Sequence, residues 1–373
     1  MIDLQVVGGG PAGLATALYA VRAGLSVVVH EPRTGPVDKA CGEGLMPAAV
    51  TALADLGIDP KGAPLRGIRY LDAGHCVEAV FRSGPGRGVR RTVLHAALLE
   101  AVAGAGIEIL HSPARSVSQD HAGVDVEAAM ASRGAVGRST SRSVRSRYLV
   151  AADGLHSPLR RQLGLEAQAL IPRRFGLRRH FRLEPWTDRV EVHWSGDTEA
   201  YVTPVAAESV GVALLTSRRE GFDQQLRAFP ALVERLGGTA YGSDEQGGAR
   251  SPVRGAGPLR QRSRHRVAGR VLLVGDASGY VDALTGEGIA LALAQARAAV
   301  RAMVVDDPHS YERRWRSVTW RHAALTHSLL AASRVGPVRR RLVPWAQARP
   351  GAFAWAVNSL AAPSAPPATV TTT

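Results

Sequence analysis

Between the apolar runs LQVVG and LSVVVHE the chain places GGGPAG and the small-residue segment PAGLATALYAVRAG. That order predicts a strand, a tight turn, a helix and a second strand. Gly8, Gly10 and Gly13 stand at the G-x-G-x-x-G spacing of a dinucleotide fingerprint. The first glycine permits the turn, the second lets a pyrophosphate approach the backbone, and the third lets the helix pack on the strand with its amides facing the phosphates. Glu31 ends the second run, where its carboxylate can accept hydrogen bonds from ribose hydroxyls. An ordinary glycine turn is the alternative, and it leaves strand, helix and acid unexplained as a set.

Two later glycine motifs follow apolar strands. In AADGLHSPLRRQLG, Asp153 and Gly154 leave a strand, and Ser157 and Arg160 start a helix. In VLLVGDASGYVDALTGEGIALAL, Asp276 follows a strand, and Gly286, Gly288 and Ile289 open an alanine-rich helix. Between them RFGLRRHFRLE, RVEVHW, AYVTPV and VGVALLT alternate with period two, the signature of an antiparallel sheet. The segment RRTVLHAALLEAVAGAG reads as helix, as does the chain from Gly42 to Leu56, and Gly67 to Phe81 alternates like strands. The stretch from 132 to 147, rich in Ser, Arg and Gly, reads as a long hairpin loop. The expected class is α/β: a Rossmann-like domain from residues 1–66, 86–165 and 255–310, and an inserted antiparallel substrate sheet from 67–85 and 166–254. A helical C-terminal segment over 311–362 and a disordered tail over 363–373 complete it.

Taken in this order, the three motifs resemble the flavoprotein fold of para-hydroxybenzoate hydroxylase and its relatives over roughly residues 1–310. The resemblance implies FAD. Its ADP half would lie on Gly8, Gly10, Pro11, Ala12 and Gly13, with Glu31 and Arg33 beside it. Asp153 and Gly154 would border the cofactor, Asp276 would bond the ribityl chain, and Gly286, Gly288 and Ile289 would face the pyrimidine end of the flavin. A helix N-terminus there stabilises the negative charge of reduced flavin. Arg91, the arginine of an RxxL helix start, takes a place near the cofactor by the same resemblance.

The loop DKACGEGLMP, with its CGxG pattern, pairs with TGEGI to resemble the geranylgeranyl reductase branch of this fold, in which the cysteine loop borders the flavin and the substrate tunnel. The chain departs from that branch at Glu43, where glycine is usual, and at Ala283, where proline is usual. The aromatic pattern YxWxFP of prenyl reductases is reduced to EAYVTP, which keeps Tyr201 and Pro204. No WxWxIP segment marks a halogenase.

The implied chemistry is NAD(P)H-dependent and has two forms. Hydroxylation of a lipophilic aromatic or polyketide-like ring is favoured because the prenyl reductase aromatics are missing from the sheet segments; reduction of a carbon–carbon double bond is the alternative. Candidate pocket residues are Cys41, His193, Trp194, Tyr201 and Pro204, with Cys41 and Glu43 as candidate catalytic groups. The plainer readings are a packing role for Cys41, a sheet histidine at His193 and core aromatics at Trp194 and Tyr201.

Cys41 and Cys76 make a poor disulfide framework, and the strand-like MIDLQVVG start fits a cytoplasmic protein. The net charge of +14 rests on 44 arginines and only Lys39 and Lys61, scattered in a way that argues against a nucleic-acid footprint. From Arg313 to Arg349, however, nine arginines occur without an acidic residue. That segment is expected either to be a solvated helical face or to make peripheral contact with an anionic membrane. No metal site is expected, and the oligomeric state is not legible.

Overall fold

In the computed structural model, which describes residues 1–129, 141–168, 173–237 and 251–362, the N-terminal strand Ile2–Val7 lies in the middle of an eight-stranded sheet. It pairs in parallel with Val27–His30 on one side and Ser141–Ala151 on the other, bringing Gln5 opposite both Val28 and Leu149. Glu108–Leu110 and Val271–Leu273 extend the parallel set outwards. Antiparallel strands Ala114–Gln119, Val124–Ala129 and Val267–Ala268 complete the sheet. Residues 141–147, expected in a loop, belong to the strand Ser141–Ala151, whose pairing with Val124–Ala129 satisfies their backbone. The rest of that expected loop, and the expected tail, lie outside the described residues.

The helices Pro11–Arg22 and Gly288–Val304 pack against each other over this sheet through Leu14, Leu18, Leu293, Ala296 and Val300. Small side chains let the backbones approach closely: a Cβ on Gly275 would lie 2.7 Å from Ala12 Cβ. The first motif is tighter still. Gly8 adopts φ +111°, and a Cβ on Gly13 would meet the Gly8 carbonyl oxygen at 1.8 Å. In the segment expected to be helical from Gly42, a short strand Gly44–Leu45 comes first, and the helix runs Pro47–Asp55.

The second sheet has seven strands. Its order is Arg254–Ala256, Phe175–Phe181, Ser209–Thr216, Thr198–Ala206, Arg189–Ser195, Gly67–Leu71 and Cys76–Val80. All neighbours are antiparallel except Arg189–Ser195 with Gly67–Leu71, the pair that joins the two sequence-separated parts of the sheet. The strand Arg254–Ala256 also belongs here, whereas the sequence division assigned residues 255 onward to the first domain; Gly176 to Arg178 pair with it directly. One face, carrying Val192, Trp194, Tyr201 and Leu215, packs under the C-terminal helices. The opposite face, carrying Phe181, Val202, Val212 and Leu214, is covered by Phe222, Leu226, Phe229 and Leu232.

Helices Ser310–Arg334, Gly336–Arg339, Leu342–Ala348 and Pro350–Ala361 wrap the second sheet and lean on the first. Tyr311 donates to the Leu273 carbonyl, and Trp315 Nε1 donates to Ser278 Oγ. At the sheet edge, Asn358 accepts from Arg82 N and donates to Val80 O, which caps the unpaired backbone of Cys76–Val80. No helix among the described residues is long and apolar enough to cross a membrane.

The glycines of the first motif predict opposite outcomes for the same substitution. Gly13→Ala should destabilise the protein by about 3 kcal/mol or more, because the new methyl strikes backbone that packing holds in place. A Cβ on Gly10 meets nothing within 4 Å, so Gly10→Ala should cost no more than about 1 kcal/mol in denaturant unfolding. Equal losses in the two variants would contradict this packing.

Candidate active site

The N-terminus of Pro11–Arg22 has no side-chain cap, and the space in front of Gly10 is open. Amides facing open space at a helix N-terminus suit a pyrophosphate. Pro11 and Ala12 occupy the first helical turn, where the proline has no amide to satisfy. Beside them Glu31 is buried and its carboxylate is saturated by protein donors. Oε2 accepts from Gly9 N at 2.9 Å and Arg33 NH2 at 2.8 Å, while Oε1 accepts from Arg33 N at 3.1 Å and Arg33 Nε at 2.7 Å. Burial raises the Glu31 pKa, but Arg33 and the two amides outweigh it and hold the carboxyl below its ordinary value. A ribose hydroxyl would therefore displace the Arg33 side chain, which is 47% exposed and free to swing aside.

The second and third motifs meet around a group of charges. Ser157 caps the short helix Pro158–Gln162 by accepting from Arg160 N at 2.9 Å. The Arg160 guanidinium, fully buried, donates to the carbonyls of Leu155, Asp276 and Ala277 and to Gln261 Oε1. Asp153 Oδ2 accepts from Leu159 N, but its buried Oδ1 has no partner. Arg91 is 7% exposed and its buried NH1 also lacks a partner. Burial raises the Asp276 carboxyl, opposed by Lys39, Arg91 and Arg160. The Lys39 ammonium stands 3.8 Å from where a Cβ on Gly154 (φ +89°) would be. An open cradle at Gly10, two orphaned polar atoms and an uncapped carboxylate fit a polar cofactor such as FAD.

The third motif ends in a turn at Gly286 (φ +70°), and the helix Gly288–Val304 begins without a side-chain cap. The Gly288 and Ile289 amides lie in its uncapped first turn. Tyr280 flanks them, its ring 3.7 Å from the Cβ position of Gly288. Cys41 Sγ accepts from Glu43 N at 3.4 Å. Burial raises the Cys41 thiol pKa, against Arg91, and burial together with Asp276, Asp282 and Cys41 holds the Tyr280 phenol far above its ordinary value. Both groups keep their protons at neutral pH. Glu287, 5% exposed and without a hydrogen bond or ion pair from its carboxyl among the described residues, is pushed by burial up to about 8.

The substrate candidates separate. Tyr201 donates to Leu284 O at 2.8 Å, so it sits between the sheet and the third motif. Trp194 packs on Tyr70 at 5.7 Å between ring centroids, and its buried Nε1 has no partner. His193 faces the other way: it contacts Phe229 and Glu191 on the opposite face of the sheet, because neighbours in a strand alternate. Pro204 packs its carbonyl against Gly88, 1.7 Å from the Cβ position there, so it braces a strand. Glu43, a candidate catalytic group, is 3% exposed with both oxygens engaged, Oε1 by Arg91 N and Oε2 by His180 Nε2. Sequence reasoning missed Lys39, Tyr280, Glu287 and His180. Tyr280 and Glu287 lie inside a motif already in view, whereas nothing local marks His180.

The isolated Glu287 gives a pH signature. Its folded pKa stands above the ordinary 4.5, so any stability it contributes is full below 4.5 and is lost as pH rises to about 8. Glu287→Gln should match the parent at the acid end and become more stable than it, by up to a few kcal/mol, as pH climbs through that window. Denaturant titrations from pH 5 to 9 measure it, and a pH-independent difference would contradict the buried, unpaired carboxyl.

The chain is 32% identical to menaquinone reductase of Mycobacterium tuberculosis over 348 residues, covering 85% of this chain and 79% of that protein. It is 30% identical to digeranylgeranylglycerophospholipid reductase 1 of Methanopyrus kandleri, covering 84% of this chain and 85% of the relative. Among solved structures, a flavoprotein/dehydrogenase from Cytophaga hutchinsonii superposes with a TM-score of 0.79 at 15% identity, over 96% of this chain and 92% of that one. With an FAD binding domain matched over residues 1–305, with the glycine cradle at its start and the uncapped helix at Gly288 near its end, the chain belongs to the FAD binding domain family of oxidoreductases.

Proposed function

We propose that this FAD-dependent oxidoreductase is a reductase that adds two hydrogens to a carbon–carbon double bond of a lipophilic, prenyl-bearing substrate, with NAD(P)H as the electron source. FAD supplies hydride chemistry when bound. The observation that carries the reading is the protonation pattern beside the helix at Gly288. Cys41 and Tyr280 are both held protonated, and the carboxylate of the Cys41 loop, Glu43, has both oxygens engaged by Arg91 N and His180 Nε2. Such a site offers protons for a reduction, and Glu43 is not free to ionise a phenol, which favours reduction over ring hydroxylation.

The reason for expecting hydroxylation also weakens. The sheet segments lack a contiguous aromatic pattern, yet Tyr70, Trp194, Tyr201 and Phe353 gather from four separate elements in one apolar cluster. Tyr70 packs edge-on to Phe353 at 4.9 Å. The cluster runs from Met46, Tyr280 and Leu284 beside the third motif to Val343 and Val357 in the C-terminal helices. A lipophilic substrate suits such surroundings, and the named activities of the two similar reductases agree with it. The chain's own task is to align the double bond, exclude water and keep a proton at Tyr280 Oη or Cys41 Sγ.

Purified protein incubated with FAD, NADPH and a prenylated naphthoquinone under labelled dioxygen should yield a product that, with its ring reoxidised to the quinone, is heavier by two hydrogens in the prenyl chain. A product carrying a labelled oxygen atom would replace this reading with a monooxygenase.

A lipid substrate also needs a route from its bilayer. Trp345 and Trp355 are 50% and 63% exposed on the outer side of the C-terminal helices, with Arg340, Arg341 and Arg349 close in sequence. Phe353 is 7% exposed and packs inward, so it is not available for insertion. The protein should cosediment with phosphatidylglycerol vesicles at low salt, and changing both tryptophans to alanine should weaken that binding about tenfold or more. Absence of low-salt binding by the parent would remove membrane contact from the proposal.

A further inference from the structure

Glu43 has φ +59°, a left-handed conformation that is unfavourable for a bulky side chain and natural for glycine. Among the described residues only Asp306 shares it outside glycine. A residue held there against its preference points to a side chain that is needed. Its carboxylate joins three elements. Oε1 accepts from Arg91 N at 2.8 Å, closing the N-terminus of the helix Arg91–Gly104, and Oε2 meets His180 Nε2 at 2.6 Å on the substrate sheet. Gly211 makes the room: a Cβ there would lie 3.1 Å from Oε2.

The direction of the proton follows from the neighbours. Arg178 NH1 lies 3.0 Å from His180 Nδ1, and a guanidinium only donates, so Nδ1 accepts and the ring proton sits on Nε2, aimed at Glu43. Ser251 Oγ, 3.3 Å from the same Nδ1, sits where it can reinforce that assignment by donating. Arg178 is itself fixed by Asp38, which also pairs with Arg254. The loop carrying Glu43 is tied on both sides: Val89 N donates to Glu43 O, Thr203 Oγ1 donates to Gly42 O, and Glu43 N donates to Cys41 Sγ.

We propose that Glu43 and His180 form a buried latch holding the Cys41 loop against the substrate sheet, and that this pair sets how bulky a substrate can pass Cys41. They are positioning residues that determine specificity, and the specificity clause rests on the proposed passage of substrate beside that loop. Glu43→Gln keeps the volume but breaks the latch. One amide end serves Arg91 N or His180 Nε2–H as acceptor, while the other presents N–H to a donor, and Arg178 prevents His180 from reversing its tautomer. Glu43→Gly removes the side chain and relaxes the backbone, so it should fold. His180→Gln can offer an acceptor to Arg178 and a donor to Glu43, and should restore much of the latch.

The test is carried out on FAD-loaded protein in a Cys76→Ser background, since Cys76 is exposed and would otherwise react first. Iodoacetamide should alkylate Cys41 about tenfold faster in Glu43→Gln and Glu43→Gly than in the parent, and near the parental rate in His180→Gln, reflecting how often the loop opens. FAD content should stay unchanged. With NADPH, the kcat/KM ratio for side-chain double-bond reduction of a naphthoquinone with a long polyprenyl chain over one with a single prenyl unit should rise in the two Glu43 variants. Parental alkylation rates in both folded Glu43 variants would overturn the latch, and faster alkylation with an unchanged ratio would overturn its role in specificity. If neither the parent nor any variant reduces a prenyl double bond while alkylation responds as expected, the latch stands and the proposed reductase activity falls.

Discussion

The Arg160 guanidinium, withdrawn completely from water, is the point on which the cofactor-facing half of the molecule depends. It starts from the helix of the second motif and reaches the Asp276 and Ala277 carbonyls of the third at 3.3 and 3.1 Å, with Leu155 O at 3.0 Å and Gln261 Oε1 at 2.9 Å. The first three are backbone oxygens of irregular turns, which have no ladder to satisfy them and would be costly to bury alone. A planar fork that donates to several acceptors at once fixes two turns to each other in a way that a lysine could not. Asp153 and Asp276 therefore hold their positions whether or not anything lies between them. The buried charge is expensive, and the many acceptors offset that cost.

What the sequence made legible follows from how local each signal is. The three glycine motifs could be read because each packs its strand, turn and helix within about twenty residues, and the physical demands fall on single positions such as Gly8 and Gly13. The side on which His193 lies was readable in principle. His193 and Trp194 are adjacent in one strand, so only one of them can face a given side, and the packing of Trp194 with Tyr70 sends His193 to Phe229. The Glu43 contacts were not readable. Glu43 and His180 are separated by 137 positions, and the left-handed backbone that aims the carboxylate leaves no trace in composition.

The arginine-rich C-terminal segment shows the same limit in another form. Read as sequence, its arginines are one group; in the fold they divide. Arg339 turns inward, pairs with the fully buried Glu199 at 3.0 Å and lies over the Trp194 ring, while its neighbours Arg340 and Arg341 stay at the surface. Glu199 is also held by Arg174, which lies 3.6 Å from Asp282. Burial raises the Glu199 carboxyl to about 7 despite both arginines, so the cluster does not fully repay its desolvation. A cluster of this kind specifies where the segment docks more than it strengthens the docking.

Docking in turn completes the apolar cluster. Tyr70, Trp194 and Tyr201 come from the sheet, but Phe353, Val357 and Ala361 come from the last described helix, and the cluster is closed only when that helix lies across the sheet edge. Beyond that apolar packing, the C-terminal helices are tied by polar contacts: Asn358 with the backbone at Val80 and Arg82, Gln347 with Cys76 N, and Arg339 with the buried Glu199. Exposed side-chain hydrogen bonds contribute about 1 kcal/mol each and yield readily to water. The C-terminal wall of the apolar cluster thus rests on side-chain contacts, whereas the wall built from the sheet is joined by backbone ladders and the flavin-facing motifs are fixed by buried backbone and Arg160.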